Sequence, residues 1–168
     1  MSRAFVKELD GNEAEGELPD RVLSEHPLYV TPRGLRKLHG EVHELRTRRA
    51  QLLAMGDDLT ATAQIKQVER DLRYAEAYLQ NAIVVEPPPD QHEIRFGAKV
   101  ELLDEDGQAH RFCIVGEHEA CAAAGFISWI SPLARQLIGG SVGNSIIWER
   151  PTGPLELEVT RISYPELR

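Results

Sequence analysis

The stretch that decides the fold is TPRGLRKLHGEVHELRTRRAQLLAMGDD, residues 31–58. Thr31 followed by Pro32 is a typical helix start, because a hydroxyl side chain caps the first turn and proline fits the first helical position. Apolar residues then recur at alternating steps of three and four, with Arg49 as a polar interruption; they are Leu35, Leu38, Val42, Leu45 and Leu52. This heptad pattern predicts a helix with one buried seam.

A second heptad follows the break at residues 55–58. Its apolar positions are Ala61, Ile65, Val68, Leu72, Ala75, Leu79 and Ala82. Two arms joined by so short a link fold back on each other as antiparallel neighbours. Arms of roughly 24 residues give a rod about 35 Å long, which has too little core to stand alone. We therefore expect an antiparallel coiled coil over residues 31–86 that projects from another domain.

The chain beyond residue 86 changes character. Three consecutive prolines end the second arm and begin a linker over residues 87–95. Short alternating segments then predict strands over residues 98–102, 110–115, 126–130, 145–148 and 155–162. Ser131 and Pro132 start a short helix that stops at two glycines. Together these elements predict an α+β fold, with a small antiparallel sheet domain over residues 96–168.

Composition and charge narrow the function. The 168 residues are 27% charged and carry a formal net charge of −8, which argues against broad contact with nucleic acid phosphates. The charge is −4 over residues 1–30, +2 over residues 31–85 and −6 beyond. We interpret the first 30 residues as a flexible acidic segment. The sequence contains neither a membrane span nor a signal peptide, and its two cysteines form no metal motif, so we expect a cytoplasmic protein.

Three motifs in the C-terminal half, taken with the predicted hairpin, resemble one family. They are FGAKVE at 96–101, DGQAHRFCIVG at 106–116 and ISWISPLAR at 127–135, and the end of the second arm, from Arg73-Tyr74 to Val84-Val85, adds to the likeness. The chain resembles the Gre transcript-cleavage and elongation factors, GreB more than GreA, over roughly residues 28–165.

The resemblance implies a sheet domain of FK506-binding-protein-like fold that holds the rim of the secondary channel of bacterial RNA polymerase. The coiled coil then enters the channel, and its acidic tip helps the polymerase to hold a second Mg²⁺. On this basis we expect a monomer that has no cofactor of its own and meets nucleic acid only inside the polymerase complex. The partner-binding residues that it implies are Ile130, Ser131, Pro132 and Arg135.

Two departures from the family concern the coil. The family tip reads Gly-Asp, two variable positions, then Glu-Asn-Ala, whereas here Thr60 or Ala61 stands where the glutamate is expected. Asp57 and Asp58 remain as candidate carboxylates for a Mg²⁺ site completed by polymerase, and the alternative is that they only solvate the turn and cap the second helix. Each arm is also shorter than in GreB-like coils by about one heptad, which shortens the rod by about 10 Å.

A third departure lies in the sheet domain, where Ile130 replaces the family's acidic residue before Ser-Pro. Three functions stay open: a polymerase-binding regulator with weak or no cleavage stimulation, an active cleavage factor using Asp57 and Asp58, and a coiled-coil interaction module unrelated to polymerase. No Ser-His-Asp set is visible, so we expect an accessory factor rather than an enzyme. His39 and His43 share a helix face but lack a third metal ligand.

Overall fold

A computed structural model describes residues 19–56 and 59–165. Two helices dominate the N-terminal half, α1 over Pro32–Ala54 and α2 over Leu59–Asn81, each of 23 residues. They pack against each other as an antiparallel hairpin, and ion pairs join Arg46 to Glu76 and Arg49 to Glu69. The predicted hairpin and its α+β context are confirmed.

The seam of the hairpin is buried at the predicted heptad positions, though not uniformly. Fully or nearly fully buried positions are Leu38, Val42, Leu52, Ala61, Val68 and Ala75. Leu45 and Leu72 are only half-buried, and Tyr78, which lies outside the predicted heptad, is 1% exposed. The buried positions differ from the predicted heptad because the base of the hairpin packs on other parts of the chain as well as helix on helix.

A two-stranded parallel sheet closes the base of the hairpin. Strand β1 is Tyr29–Val30 and strand β2 is Ile83–Val84. The N–H of Ile83 donates to the carbonyl of Leu28 at 2.9 Å, and the N–H of Val85 donates to the carbonyl of Val30 at 3.0 Å. Leu28 and Val30 are buried in the hairpin core. Both residues fall in the segment predicted to be flexible, whereas the structure makes them part of the hairpin base.

The C-terminal half is a five-stranded sheet in the order β5-β4-β3-β7-β6. Its strands are β3 (Lys99–Asp104), β4 (Ala109–Val115), β5 (Phe126–Ser128), β6 (Ser145–Trp148) and β7 (Leu155–Ser163). All neighbours are antiparallel except β4 and β5, which are parallel. The purely antiparallel expectation was wrong at this edge, because residues 116–125 turn the chain back through two short 3-10 turns, so that Phe126 starts β5 beside Cys113 near the end of β4.

One face of this sheet forms the main core. Helix α3 (Pro132–Leu137) covers it, and the buried residues are Ile94, Ala98, Val100, Leu102, Ile114, Leu133, Ala134, Leu137, Leu157, Val159 and Tyr164. Within residues 19–56 and 59–165, no helix is long and apolar enough to cross a lipid bilayer. The opposite face of the sheet lies toward the start of α1, where the guanidinium of Arg33 stands over the ring of Phe126.

Candidate functional site

The turn that joins β5 to α3 brings together the four residues that the sequence analysis assigned to partner binding, Ile130, Ser131, Pro132 and Arg135. The Ser131 hydroxyl accepts the N–H of Ala134 at 3.3 Å, which caps α3. The N–H of Ser131 donates to the carbonyl of Ser128 at 2.9 Å. Proline at the first helical position fixes the backbone further. The turn is therefore ordered without a partner.

Exposure differs among these four residues. Pro132 and Arg135 are exposed, whereas Ser131 and Ile130 are half-buried. Leu133 and Leu137 anchor the other side of α3 in the sheet core. The helix thus presents Pro132 and Arg135 to solvent on a rigid support. Such an arrangement suits recognition of a protein surface, because little conformational freedom is lost on binding.

Trp129 lies beside this turn and is half-buried rather than fully in the core. Its backbone N–H donates to the carbonyl of Val115 at 2.9 Å. Its ring packs at 5.0 Å from that of Tyr29 and at 6.1 Å from that of His26, measured between centroids. The aromatic cluster joins the candidate docking turn to the strand that precedes the coil. Sequence reasoning missed this link because the residues are about 100 positions apart.

A second junction holds the start of α1 to the sheet domain. Thr31 is 1% exposed; its hydroxyl caps α1 by accepting the N–H of Gly34 at 2.9 Å and also donates to the carboxylate of Glu119. The backbone N–H of Thr31 donates to the same carboxylate at 2.9 Å. The cap is predictable from the sequence but its partner Glu119 is not, since no local pattern links residues 88 positions apart.

His118 completes the junction. A ring nitrogen of His118 lies 2.7 Å from a carboxylate oxygen of Glu41 on α1. The same ring packs at 4.9 Å from the ring of Tyr78 on α2. Burial raises the pKa of Tyr78 to about 12, although the backbone N–H of His118 acts in the opposite direction. Both helices therefore contact the 3-10 turn at Glu117–Glu119, which fixes the direction in which the rod leaves the sheet domain.

The tip of the hairpin is the other end of the candidate functional surface. Asp57 and Asp58, the candidate Mg²⁺ ligands, lie outside the described residues. At the described edge of the tip, Met55 is 70% exposed and Leu53 is 51% exposed. Gly56 has a φ of 81°, the left-handed conformation in which glycine commonly ends a helix.

The other candidate residues on the coil are charged side chains and two histidines. Several of the charged side chains form ion pairs. Glu76 and Glu69 pair with Arg46 and Arg49, and Asp20 pairs with Arg73 at 2.6 Å. The basic surface of the rod is thus partly neutralised. His39 and His43 are both exposed. Among the described residues, no cluster of three or more His, Cys, Asp or Glu side chains is arranged to hold a metal ion.

Sequence comparisons place this architecture in a family. The family described as "Transcription elongation factor, GreA/GreB, C-term" matches residues 89–164. GreB of Neisseria meningitidis serogroup B is 32% identical over 152 residues, which cover 81% of this chain and 93% of that protein. GreB of Pseudomonas aeruginosa is 34% identical over 151 residues, covering 81% and 90%. GreA of a Jannaschia species is 34% identical over 150 residues, covering 80% and 96%.

These matches place the chain in the class of transcription elongation factors. The chain belongs to the GreA/GreB family. Among solved structures, GreA factor homolog 1 (Gfh1) of Thermus thermophilus aligns with 82% of this chain and 99% of its own, at 23% identity and a TM-score of 0.41. The family assignment rests on the sequence matches.

Proposed function

We propose that this protein binds RNA polymerase at the rim of the secondary channel, inserts its coiled coil and regulates elongation with weak or no stimulation of transcript cleavage. The family assignment supports the general role in elongation. The protein carries out this role in the cytoplasm. The β5–α3 turn is the docking element, and the rod is the part that enters the channel.

The length of the rod is the observation that carries this proposal. Each helix has 23 residues, which gives a rod of about 35 Å. This is about 10 Å shorter than a hairpin with one more heptad in each arm. Such a rod holds its tip farther from the polymerase active centre.

The composition of the tip points the same way. Asp57 and Asp58 are the carboxylates that would hold a Mg²⁺ shared with polymerase, and the glutamate expected three residues later is replaced by Thr60 or Ala61. Carboxylate ligands must approach Mg²⁺ to about 2 Å. The loss of one ligand from such a site corresponds to a rate loss on the order of a hundredfold or more. A short rod and an incomplete ligand set therefore both reduce cleavage.

Transcript cleavage in backtracked elongation complexes tests the proposal. We expect little RNA cleavage with the wild-type protein, and little further change with Asp57→Asn or Asp58→Asn. We also expect the protein to compete with an active GreB for polymerase. Strong cleavage that both substitutions abolish would instead identify an active cleavage factor.

The docking turn has its own test. Pro132→Ala, alone and combined with Ile130→Asp, is expected to alter the affinity for core polymerase while thermal stability changes little. The matched control is Pro154→Ala, an exposed proline in the turn between β6 and β7. Unchanged affinity in both variants would remove this turn from the interface. A pull-down that recovers no polymerase subunit would favour the third hypothesis, an interaction module unrelated to polymerase.

A further inference from the structure

Two adjoining clefts lie between the start of α1 and the face of the sheet opposite its core. Their volumes are about 210 Å³ and about 390 Å³. Arg33, Ala124 and Phe126 line both clefts, which therefore adjoin. We call the pair the α1–β5 cleft. It is separate from the core packing of the sheet and from the tip of the rod.

Four basic side chains surround the α1–β5 cleft: Arg33, Lys37, Lys99 and Arg111. All four residues are exposed. Glu119 lines the smaller cleft; Thr31 holds its carboxylate by hydrogen bonds, which leave its negative charge in place. Glu101 forms an ion pair with Arg111 at 3.6 Å. Four basic groups against these two carboxylates leave a net positive charge. This local excess of positive charge contrasts with a chain whose formal net charge is −8.

The floor of the cleft is apolar. Cys113 of β4 pairs with Lys99 of β3 on one side and with Phe126 of β5 on the other. The guanidinium of Arg33 stands 5.2 Å from the centre of the Phe126 ring. An apolar centre surrounded by charged side chains is typical of protein interfaces, in which aromatic and arginine residues carry much of the binding energy. The cleft therefore favours a protein segment over a small free anion.

We propose that the α1–β5 cleft binds an acidic segment of RNA polymerase and provides a second contact beside the docking turn. The two surfaces are continuous in the chain, because Phe126 begins β5 and the docking turn follows its end. Charge complementarity selects the acidic segment. The proposal rests on the proposed function, since it names a further contact to the same partner.

Charge reversal on the cleft tests the proposal. Lys99→Glu combined with Arg111→Glu is compared with Arg95→Glu combined with Arg150→Glu, which changes the net charge by the same amount away from the cleft. We expect the cleft variant to lose about tenfold or more in affinity for core polymerase and to show a weaker dependence on salt. We expect the control to change affinity less than about threefold. Thermal unfolding of both variants checks that they are folded.

Cys121 supplies a second measurement, because it is exposed and lines the cleft. Cys113 is buried, and burial raises the pKa of its thiol to about 11, so a maleimide reagent modifies Cys121 first. A benzophenone attached to Cys121 is expected to crosslink to an acidic segment of a polymerase subunit. The control carries Cys121→Ser and Arg150→Cys, and should not crosslink to that segment.

The outcomes separate this proposal from the proposed function. If the wild-type protein does not bind polymerase at all, the proposed function fails. If it binds with an affinity unaffected by cleft reversal, and no crosslink forms from Cys121, only the cleft proposal is overturned. A crosslink that forms to nucleic acid and is lost after nuclease treatment would also overturn it in favour of a phosphate-binding surface.

Discussion

The base and the tip of the helical hairpin differ in how the chain holds them. At the base, Leu38 and Ala75 have no exposed surface and Tyr78 has 1%. At the tip, Leu53 and Met55 leave half or more of their surface in solvent. Leu53 and Met55 lie outside the heptad seam, which stays buried near the tip at Leu52 and Ala61. Tyr78 also lies outside the predicted heptad, yet it is buried because the ring of His118 packs on it. The two ends therefore differ in what covers the residues outside the seam.

Truncation of one leucine at each end should give the largest contrast. Leu38→Ala is expected to lower the free energy of unfolding by about 2–5 kcal/mol, because it leaves a cavity in the base. Leu53→Ala, a partly exposed position on the same helix, should change it by less than about 0.5 kcal/mol. Urea titration monitored by circular dichroism measures both values. Similar losses in the two variants would contradict the contrast between the covered base and the open outer face near the tip.

Leu45 and Leu72 sharpen this expectation. Both were predicted as core positions of the coil, yet both are only half-buried. Their replacement by alanine should therefore cost less than that of Leu38 and fall at or below about 2 kcal/mol. Amide hydrogen exchange in these variants should become faster in the hairpin and change little in the sheet. An unaffected hairpin in Leu72→Ala would mean that the heptad assignment is wrong.

Two glycines of α1 offer a matched pair with opposite signs. A Cβ at Gly34 would overlap the carboxylate of Glu119, which is held in place by Thr31. Gly34→Ala is therefore expected to destabilise the protein by about 1–3 kcal/mol. A Cβ at Gly40 meets no atom within 4 Å, so Gly40→Ala should stabilise the helix by about 0.5–1 kcal/mol. Thermal unfolding compares the two, and stabilisation by both would exclude a rigid junction at Glu119.

The ion pair between Arg49 and Glu69 gives the smallest expected effect. Its Nε and Oε1 atoms are 2.7 Å apart, and the side chains are 44% and 33% exposed. A double-mutant cycle with Arg49→Ala and Glu69→Ala should give a coupling of about 0.2–1 kcal/mol that weakens in high salt. A coupling free energy that salt does not change would mean that the ion pair is more shielded from solvent than the exposed fractions of its side chains indicate.

The sequence predicts what short-range periodicity and capping determine. Thr31-Pro32 and Ser131-Pro132 each start a helix as expected, and the two hydroxyls accept the N–H groups of Gly34 and Ala134. The five strand segments were also predicted, although β5 ends at Ser128 rather than Ile130. These features depend on side chains within a few residues of one another, so a local pattern is sufficient.

The contacts that position the candidate site could not be predicted in this way. Glu119 binds Thr31, and His118 meets Glu41 and Tyr78, although nothing in a short window of sequence marks either residue. The parallel pairing of β4 with β5 depends on the path of the connection between them, which has no periodic signal. The exposed fraction of Leu45 could not be predicted either, since the heptad indicates the direction of its side chain but not which residues cover it.

The parallel clasp of β1 with β2 has a consequence for how the rod can evolve. It joins the two ends of the hairpin by backbone hydrogen bonds, which do not depend on what lies between them. Inserting a heptad into each arm adds only about 0.2 kcal/mol of loop-closure entropy and preserves the helical register. The length of the rod can therefore change without a change elsewhere: natural selection can lengthen or shorten it in paired steps of about 10 Å while the sheet domain and its junction stay the same.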